Sequence, residues 1–345
     1  MRITPNWPLR AHCTRCCLIV LVSVIELGLT VPCRGAASSE AEKWLDKIVE
    51  AAQSLNYDGT FVYRTDSQLE SMRIIHRVDP DGTQRERLIS LSGAPWEVLR
   101  DGAQVTCILP SDRSVVVGKS RQRPFLSSPI FKTPEQGSQH YRLSMVGSDR
   151  VAGRPTEIVA VTPLDRYRYG FRLWVDHETG LLLKSELIDE EGLPLEQFVY
   201  TSVEVHQEIP DQLLEPGLSG SGFQWYKHGR VQKARPRSAA LMPRTSDEWQ
   251  VTWRPPGFVL SDQASDSVPK RHVSVRRRVY TDGLSSFLVL IEPLESMAEG
   301  QQGLSRMGAV NAYGRFFDGF QVTVFGEVPP LTVEKVGKSI QRNTP

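Results

Sequence analysis

Outside the first 36 residues the chain carries six histidines: His76, His140, His177, His206, His228 and His272. Histidine serves as a metal ligand or a general base near neutral pH, but either task needs partners at short, fixed spacing. These six are widely separated, and no H-E-x-x-H, P-loop or C-x-x-C pattern occurs beyond residue 36. The stretch "GLSGSG" at 217–222 sets serines among glycines, at the wrong offsets for the strand-to-helix elbow of a hydrolase nucleophile. It reads as a Gly-Ser linker. Asp189, Glu190 and Glu191 fall in a turn between apolar strands and read as a solvated loop. The chemistry-bearing residues therefore predict no catalytic site, no metal and no cofactor. A binding protein is the expected class.

The N-terminus bounds the compartment. Arg2, Arg10 and Arg15 precede "CCLIVLVSVI", and "GAASS" follows, which is the basic, apolar and small-residue order of a secretory signal. A permanent membrane anchor is the competing reading; Glu26 interrupts the apolar run and leaves too short a stretch to span a bilayer comfortably. Cleavage near Ala36 or Ala37 is expected, giving residues 1–36 as signal. That removes Cys13, Cys16, Cys17 and Cys33 and leaves Cys107, so no intrachain disulfide can form and the exported chain relies on its core. Cys107, in "VTCIL", is expected as a small buried hydrophobe. The signal carries four Arg and one Glu, a net of +3, so the whole-chain charge of +1 becomes about −2 on cleavage. Such a chain has no global basic field for nucleic acid. Local basic clusters remain at Arg121, Arg123 and Lys132 and in "WYKHGRVQKARPR" from Trp225 to Arg237. They are either solvated surface or a contact for an anionic headgroup or an acidic partner.

The elements that must position any site come next. "SSEAEKWLDKIVEAAQSLN" predicts an amphipathic helix, with Ser39 and Glu42 at capping-box spacing, Trp44, Ile48, Ala52 and Leu55 on one face, and Asn56 and Gly59 ending it. From Gly59 the period changes to two. "GTFVYRT", "LESMRIIHRV", "RERLISL", "PWEVLR", "QVTCILP", "SVVVGK" and "YRLSMVG" are short β-branched and aromatic runs. Asp-Gly recurs at Asp58-Gly59, Asp81-Gly82, Asp101-Gly102, Asp282-Gly283 and Asp318-Gly319, mostly between extended runs, which predicts an antiparallel meander. "RYGFRLWVD", "LLLKSELID" and "PLEQFVYTSVEV" add three strands, with Leu182 and Ile188 on one face and Leu181, Leu183 and Leu187 on the other. A sheet apolar on both faces needs cover on both, and one helix covers one. A sheet of nine or ten strands curled around an apolar interior is expected.

Between "SVVVGK" and "YRLSMVG" about twenty residues hold Pro124, Pro129 and Pro134 together with Phe125, Leu126, Ile130 and Phe131. This is either a lid over the barrel mouth or an irregular packed connection. Residues 37–210 form the expected first domain and residues 211–245, rich in Pro, Gly, Ser and Arg, an interdomain connection with a short strand pair near Phe223 to Val231. Residues 246–345 read as a small α+β domain of four to six antiparallel strands and a last helix, "PPLTVEKVGKSIQR".

"LNYDGTFVYRTDSQLESMRIIHRVDPDG", "VTCILP", "DRVAGRPTEIVAVTPLDRYRYGFRLWVDHETGLLLKSELIDEEG", "VYTDGLSSFLVLIEP" and "GAVNAYGRFFDGFQVTVFGEVPP" resemble the RseB/MucB family of periplasmic regulators of the envelope-stress sigma factor, over nearly the whole exported chain. The resemblance implies a mainly β (α+β) protein: a half-open antiparallel barrel with covering helices, similar to LolA and LolB, and a smaller C-terminal α+β domain. It implies binding to the periplasmic region of a transmembrane anti-sigma factor of the RseA/MucA type, protection of that factor from site-1 proteolysis, and release by lipopolysaccharide or lipoprotein acyl chains. Within that frame Phe125, Leu126, Ile130 and Phe131 are expected as the lid, Arg121, Arg123 and Lys132 as headgroup contacts, and some of Phe61, Tyr63, Met72 and Ile74 as cavity lining, subject to strand phase. A homodimer is compatible with the sequence. The competing function is a lipoprotein carrier of the LolA type, against which the second domain argues.

Overall fold

The computed structural model describes residues 34–66, 68–119, 139–227, 249–268, 273–294 and 301–343. Helix α1 (Arg34–Ser54) is followed by strands β1 (Asn56–Thr65), β2 (Gln68–Val78), β3 (Gln84–Ser90), β4 (Glu97–Asp101), β5 (Gln104–Leu109) and β6 (Ser114–Lys119). Then come β7 (Tyr141–Val151), β8 (Arg154–Pro163), β9 (Gly170–Asp176), β10 (Leu182–Ile188), β11 (Pro194–His206), the one-turn helix α2 (Asp211–Leu214) and β12 (Gln224–Lys227). All these strands form one twelve-stranded sheet in the order β12-β6-β5-β4-β3-β2-β1-β11-β10-β9-β8-β7. Two meanders thus run outward from the centre, where β11 returns to pair with β1, Phe61 opposite Tyr200. Every pairing is antiparallel except that of β12 with β6.

Two strands exceed the expected nine or ten. β8 begins with Arg154 and Pro155, and a proline at a strand start hides the alternation that Thr156, Val159 and Val161 then follow into the core. β12 lies within the short strand pair expected near Phe223 to Val231 and joins this sheet by pairing with β6. Residues 211–227, in the stretch expected to connect the domains, lie on the first sheet rather than away from it.

Helix α1 starts at Arg34, so Ser39 is an interior residue and not the expected cap. The alanines ahead of it favour helix strongly enough to carry the first turns. The helix buries Ala41, Trp44, Leu45, Ile48 and Ala51, a single stripe at helical spacing, and packs against β7 and β8. Among the described residues it is the one long helix covering this sheet. Asn56 does not cap it. Its side-chain amide donates to the Gln207 carbonyl (3.0 Å) and accepts from the Val78 amide (2.8 Å), tying β1 to its neighbours on both sides. Asp58-Gly59 likewise lies inside β1 rather than in a turn; a Cβ at Gly59 would stand 2.6 Å from the Tyr200 ring, so close packing demands the glycine.

The hairpin from β9 to β10 closes on Gly180, whose φ of +76° only glycine adopts readily. The Asp176 carboxylate organises the turn. It accepts from Arg154 Nε (3.0 Å) and Nη2 (2.8 Å), from the Thr179 amide (3.0 Å) and from the Thr179 hydroxyl (2.6 Å). Burial pushes this carboxylate up, but the Arg154 and Thr179 bonds outweigh it and hold it below the ordinary aspartate range. A depressed folded value means the stabilisation is complete above about pH 4 and is lost as pH falls through that depressed value. Acid titration followed by circular dichroism should therefore show Asp176→Asn as less stable than the native chain near neutrality, with a smaller loss on acidification. An equal loss in both proteins would remove Asp176 from the acid response.

The C-terminal part is built of β13 (Trp249–Val251), β14 (Val259–Val268), β15 (Val273–Thr281), β16 (Ser286–Pro293), β17 (Gly303–Met307), β18 (Val310–Phe317), β19 (Phe320–Gly326), α3 (Pro330–Ser339) and β20 (Ile340–Arg342). Six of the strands form a sheet in the order β14-β15-β16-β19-β18-β17, and β13 pairs with β20. Pro330 sits in the first turn of α3, and Thr332, Val333, Val336 and Gly337 are its buried side. Trp249, Phe258, Phe287, Val289, Val322 and Val324 form the core beneath it.

Candidate binding site

Strand alternation gives the first sheet two faces, and cross-strand register assigns residues to them. Phe61 faces Met72 and Tyr200, Gly59 faces Ile74, and Ile74 faces Leu88, so Phe61, Tyr63, Met72 and Ile74 share one face with Leu88. The same row continues through Val98, Cys107 and Val116. This is the inner face. Phe61, Met72 and Ile74 are buried in one core with Trp44, Leu45 and Ile48 of α1, while Tyr63 is half-buried and donates from its hydroxyl to Glu196 at 2.5 Å. Phe61 packs edge-on against Phe198 (5.2 Å between ring centres) and Tyr200 (5.7 Å). Farther along the sheet the inner face stays apolar but less covered. Cys107 is half-buried there between Val98 and Val116, not buried as expected, because it lies beyond the reach of α1. Phe125, Leu126, Ile130, Phe131, Arg121, Arg123 and Lys132 lie outside the described residues.

Buried polar groups also enter the core on the inner face. His76 is fully buried, its ring stacked on Tyr57 at 4.8 Å and its Nδ1 3.0 Å from Glu86. Burial pushes the Tyr57 and Tyr200 phenols well above the usual range, which keeps both neutral. Among the described residues no group of three or more His, Cys, Asp or Glu side chains could hold a metal ion.

The outer face changes character along the sheet. On β9 to β11 it is polar: Lys184 pairs with Glu186 (2.9 Å) and lies over the Trp174 ring, and Gln197 donates to Glu186 (2.7 Å). On β4 to β6 it is mostly apolar, in two adjacent cross-strand rows, Leu99–Thr106–Val117 and Glu97–Ile108–Val115. Residues 216–225 cover these rows and leave a cavity of about 580 Å³, walled on the other side by Pro216, Leu218 and Trp225. A buried pair latches the strap. Glu97 accepts from the Gly217 amide (2.9 Å) and from Arg87 (2.9 Å), and Arg87 also reaches the Leu213 carbonyl (3.2 Å). The sequence reading missed this cavity because "GLSGSG" reads as linker. The available signal was the apolar residues on both faces of "PWEVLR" and "QVTCILP".

The two sheets meet at a second buried polar cluster. Arg168, in the β8–β9 connection, is 1% exposed; its Nη1 donates to Asp282 (2.6 Å), Nη2 to the Pro256 carbonyl (2.6 Å), and Nε and Nη2 to Asp165 (3.1 and 2.9 Å). The Tyr141 hydroxyl donates to the same Asp282 carboxylate at 2.9 Å. Burial, and then the Asp282 charge, hold the Tyr141 phenol far above its ordinary value. Asn311 donates to the Tyr169 hydroxyl (2.9 Å), and Leu284 and Ala309 enter the core of the first sheet. The Asp282-Gly283 turn, read from sequence as a hairpin alone, is also this joint.

Residues 40–218 match the MucB/RseB N-terminal domain, and residues 243–341 match the MucB/RseB C-terminal domain. The chain is 35% identical over 320 residues to the sigma factor AlgU regulatory protein MucB of Pseudomonas aeruginosa, covering 91% of this chain and 95% of that protein. It is 27% identical over 324 residues to the sigma-E factor regulatory protein RseB of Salmonella typhimurium, covering 93% and 96%. Its fold is similar to that of MucB in a crystal structure of its complex with MucA(peri), with a TM-score of 0.68 at 33% identity over 88% of this chain and all of that one.

Proposed function

The chain belongs to the MucB/RseB family, and from that membership we propose that it is a periplasmic regulator of an envelope-stress sigma factor. It binds the periplasmic region of a transmembrane anti-sigma factor of the RseA/MucA type and shields it from site-1 proteolysis. Lipid or lipoprotein acyl chains release it. The observation that carries this reading is the likeness, across nearly the whole chain, to MucB solved in complex with MucA(peri). The structure supports a binding role physically: most apolar side chains are spent on two packed cores, and an apolar cavity on the first sheet remains for a ligand.

Release by lipid is thermodynamic linkage. If acyl chains and the anti-sigma segment favour different arrangements of the protein, each weakens the other by the same factor. The test is co-purification of the exported chain with the periplasmic region of an RseA/MucA-type anti-sigma factor from the same organism, with and without lipopolysaccharide, followed by digestion of that region with the site-1 protease. Binding that protects the partner and that lipopolysaccharide abolishes is the expected result. Failure to bind in either condition would sink the regulator reading and leave a lipoprotein carrier as the better account.

A further inference from the structure

We propose that the cavity beneath residues 216–225 is an acyl-chain site, so that the lipid signal is read on the outer face of the first sheet. The inference rests on the lipid-release reading above and gives it a place. Leu99, Ile108 and Val115 form its floor and Pro216, Leu218 and Trp225 its walls, an open-sided pocket of about 580 Å³. That is within the range of small-ligand pockets, about 300–1,000 Å³. Among the described residues no charged side chain lines it, and the polar side chains are the hydroxyls of Thr106 and Ser221. A peptide entering this space would strip water from amide groups that the lining cannot pair, whereas an acyl chain brings no polar group to desolvate.

The mouth fits the other end of an amphiphile. Trp225 walls the cavity yet is 55% exposed, an aromatic ring with one edge dry and one wet. Lys227, two residues on and therefore on the same face of β12, places a cation beside it for an anionic headgroup. The space is preformed. The Glu97–Arg87 pair fixes Gly217 and Leu213, and at Gly220 a Cβ would come within 3.0 Å of Val115, so the strap lies as close as a glycine backbone permits. β12 holds the far end of the strap by pairing with β6.

Tryptophan fluorescence locates the chain directly. Dibrominated stearate, a contact quencher, is titrated into the full exported protein and into Trp225→Phe and Trp96→Phe, since Trp96 packs against the inner core. The expected result is quenching that largely disappears in Trp225→Phe and persists in Trp96→Phe. Thr106→Phe, on the half-buried floor, and Gly220→Val should each fill the cavity and weaken stearate binding at least tenfold, with unfolding transitions checked so that loss of fold is not read as loss of a site. Quenching that survives in Trp225→Phe and disappears in Trp96→Phe would put the acyl chain on the inner face and overturn this proposal while sparing the lipid reading. Absence of stearate binding by equilibrium dialysis to the native protein would overturn both.

Discussion

Arg168→Met is expected to destabilise the protein by about 3–5 kcal/mol, the usual cost of leaving one member of a buried ion pair without its partner. The replaced guanidinium has no access to water and makes four donor bonds, two to Asp165, one to Asp282 and one to the Pro256 carbonyl. Methionine fills much of the space but leaves the Asp282 carboxylate buried with the Tyr141 hydroxyl and the Leu284 and Ser285 amides as its remaining donors. Those bonds orient the charge without neutralising it. Urea unfolding should show a lower midpoint, and because the cluster joins β7 and the β8–β9 connection to the β15–β16 turn, the transition should also broaden as the two sheets cease to unfold together. The double variant Arg168→Met/Asp282→Leu should recover much of the loss, since it removes the orphaned charge as well. A single variant within about 1 kcal/mol of the native protein would mean that water reaches the joint, and that the remaining contacts, Leu284 and Ala309 in the first core and Asn311 on Tyr169, hold the sheets together.

How much of this was legible beforehand follows the distance over which each feature is decided. The turns were legible because each is settled by a few adjacent residues: Gly82, Gly102, Gly283 and Gly319 all have positive φ, and an Asp-Gly pair marks a turn at each. In α1, Trp44 and Ile48 were legible for the same reason, while the structure buries Ala51 rather than Ala52 and ends the helix before Leu55. The helix start was not legible, since a capping pattern at Ser39 competes with alanines that continue the helix backward. Asp58-Gly59 misled because the local signal for a turn is identical to what close approach of the Tyr200 ring requires from across the sheet. A strand near Phe223 was legible, but its pairing with β6 and the Arg168–Asp282 pair were not, because each joins segments more than a hundred residues apart through contacts with no sequence period. The site shows the same division. Alternation put Phe61 with Tyr63 and Met72 with Ile74, but that the two pairs share a face is set by cross-strand register, and what covers that face is a tertiary fact, as is the cavity between β4–β6 and the strap.

Phe61→Ala tests what that inner face is for. As a core residue, 1% exposed and edge-on to both Phe198 and Tyr200, Phe61 should cost about 3–5 kcal/mol on truncation, from lost transfer energy and an unfilled cavity. A side chain lining an open ligand space would cost far less, because its loss enlarges a void that already exists. The chemical unfolding midpoint of Phe61→Ala therefore separates packing from lining without any ligand being known. The milder Phe61→Leu keeps most of the volume and should cost under about 1.5 kcal/mol. If the inner face beneath α1 is core, Phe61→Leu must also leave stearate affinity and Trp225 quenching as they are in the native protein. A Phe61→Leu protein that folds normally but binds stearate poorly would show instead that the row from Phe61 to Ile74 opens to admit the chain, with α1 the element that moves, since Trp44, Leu45 and Ile48 are what close that row.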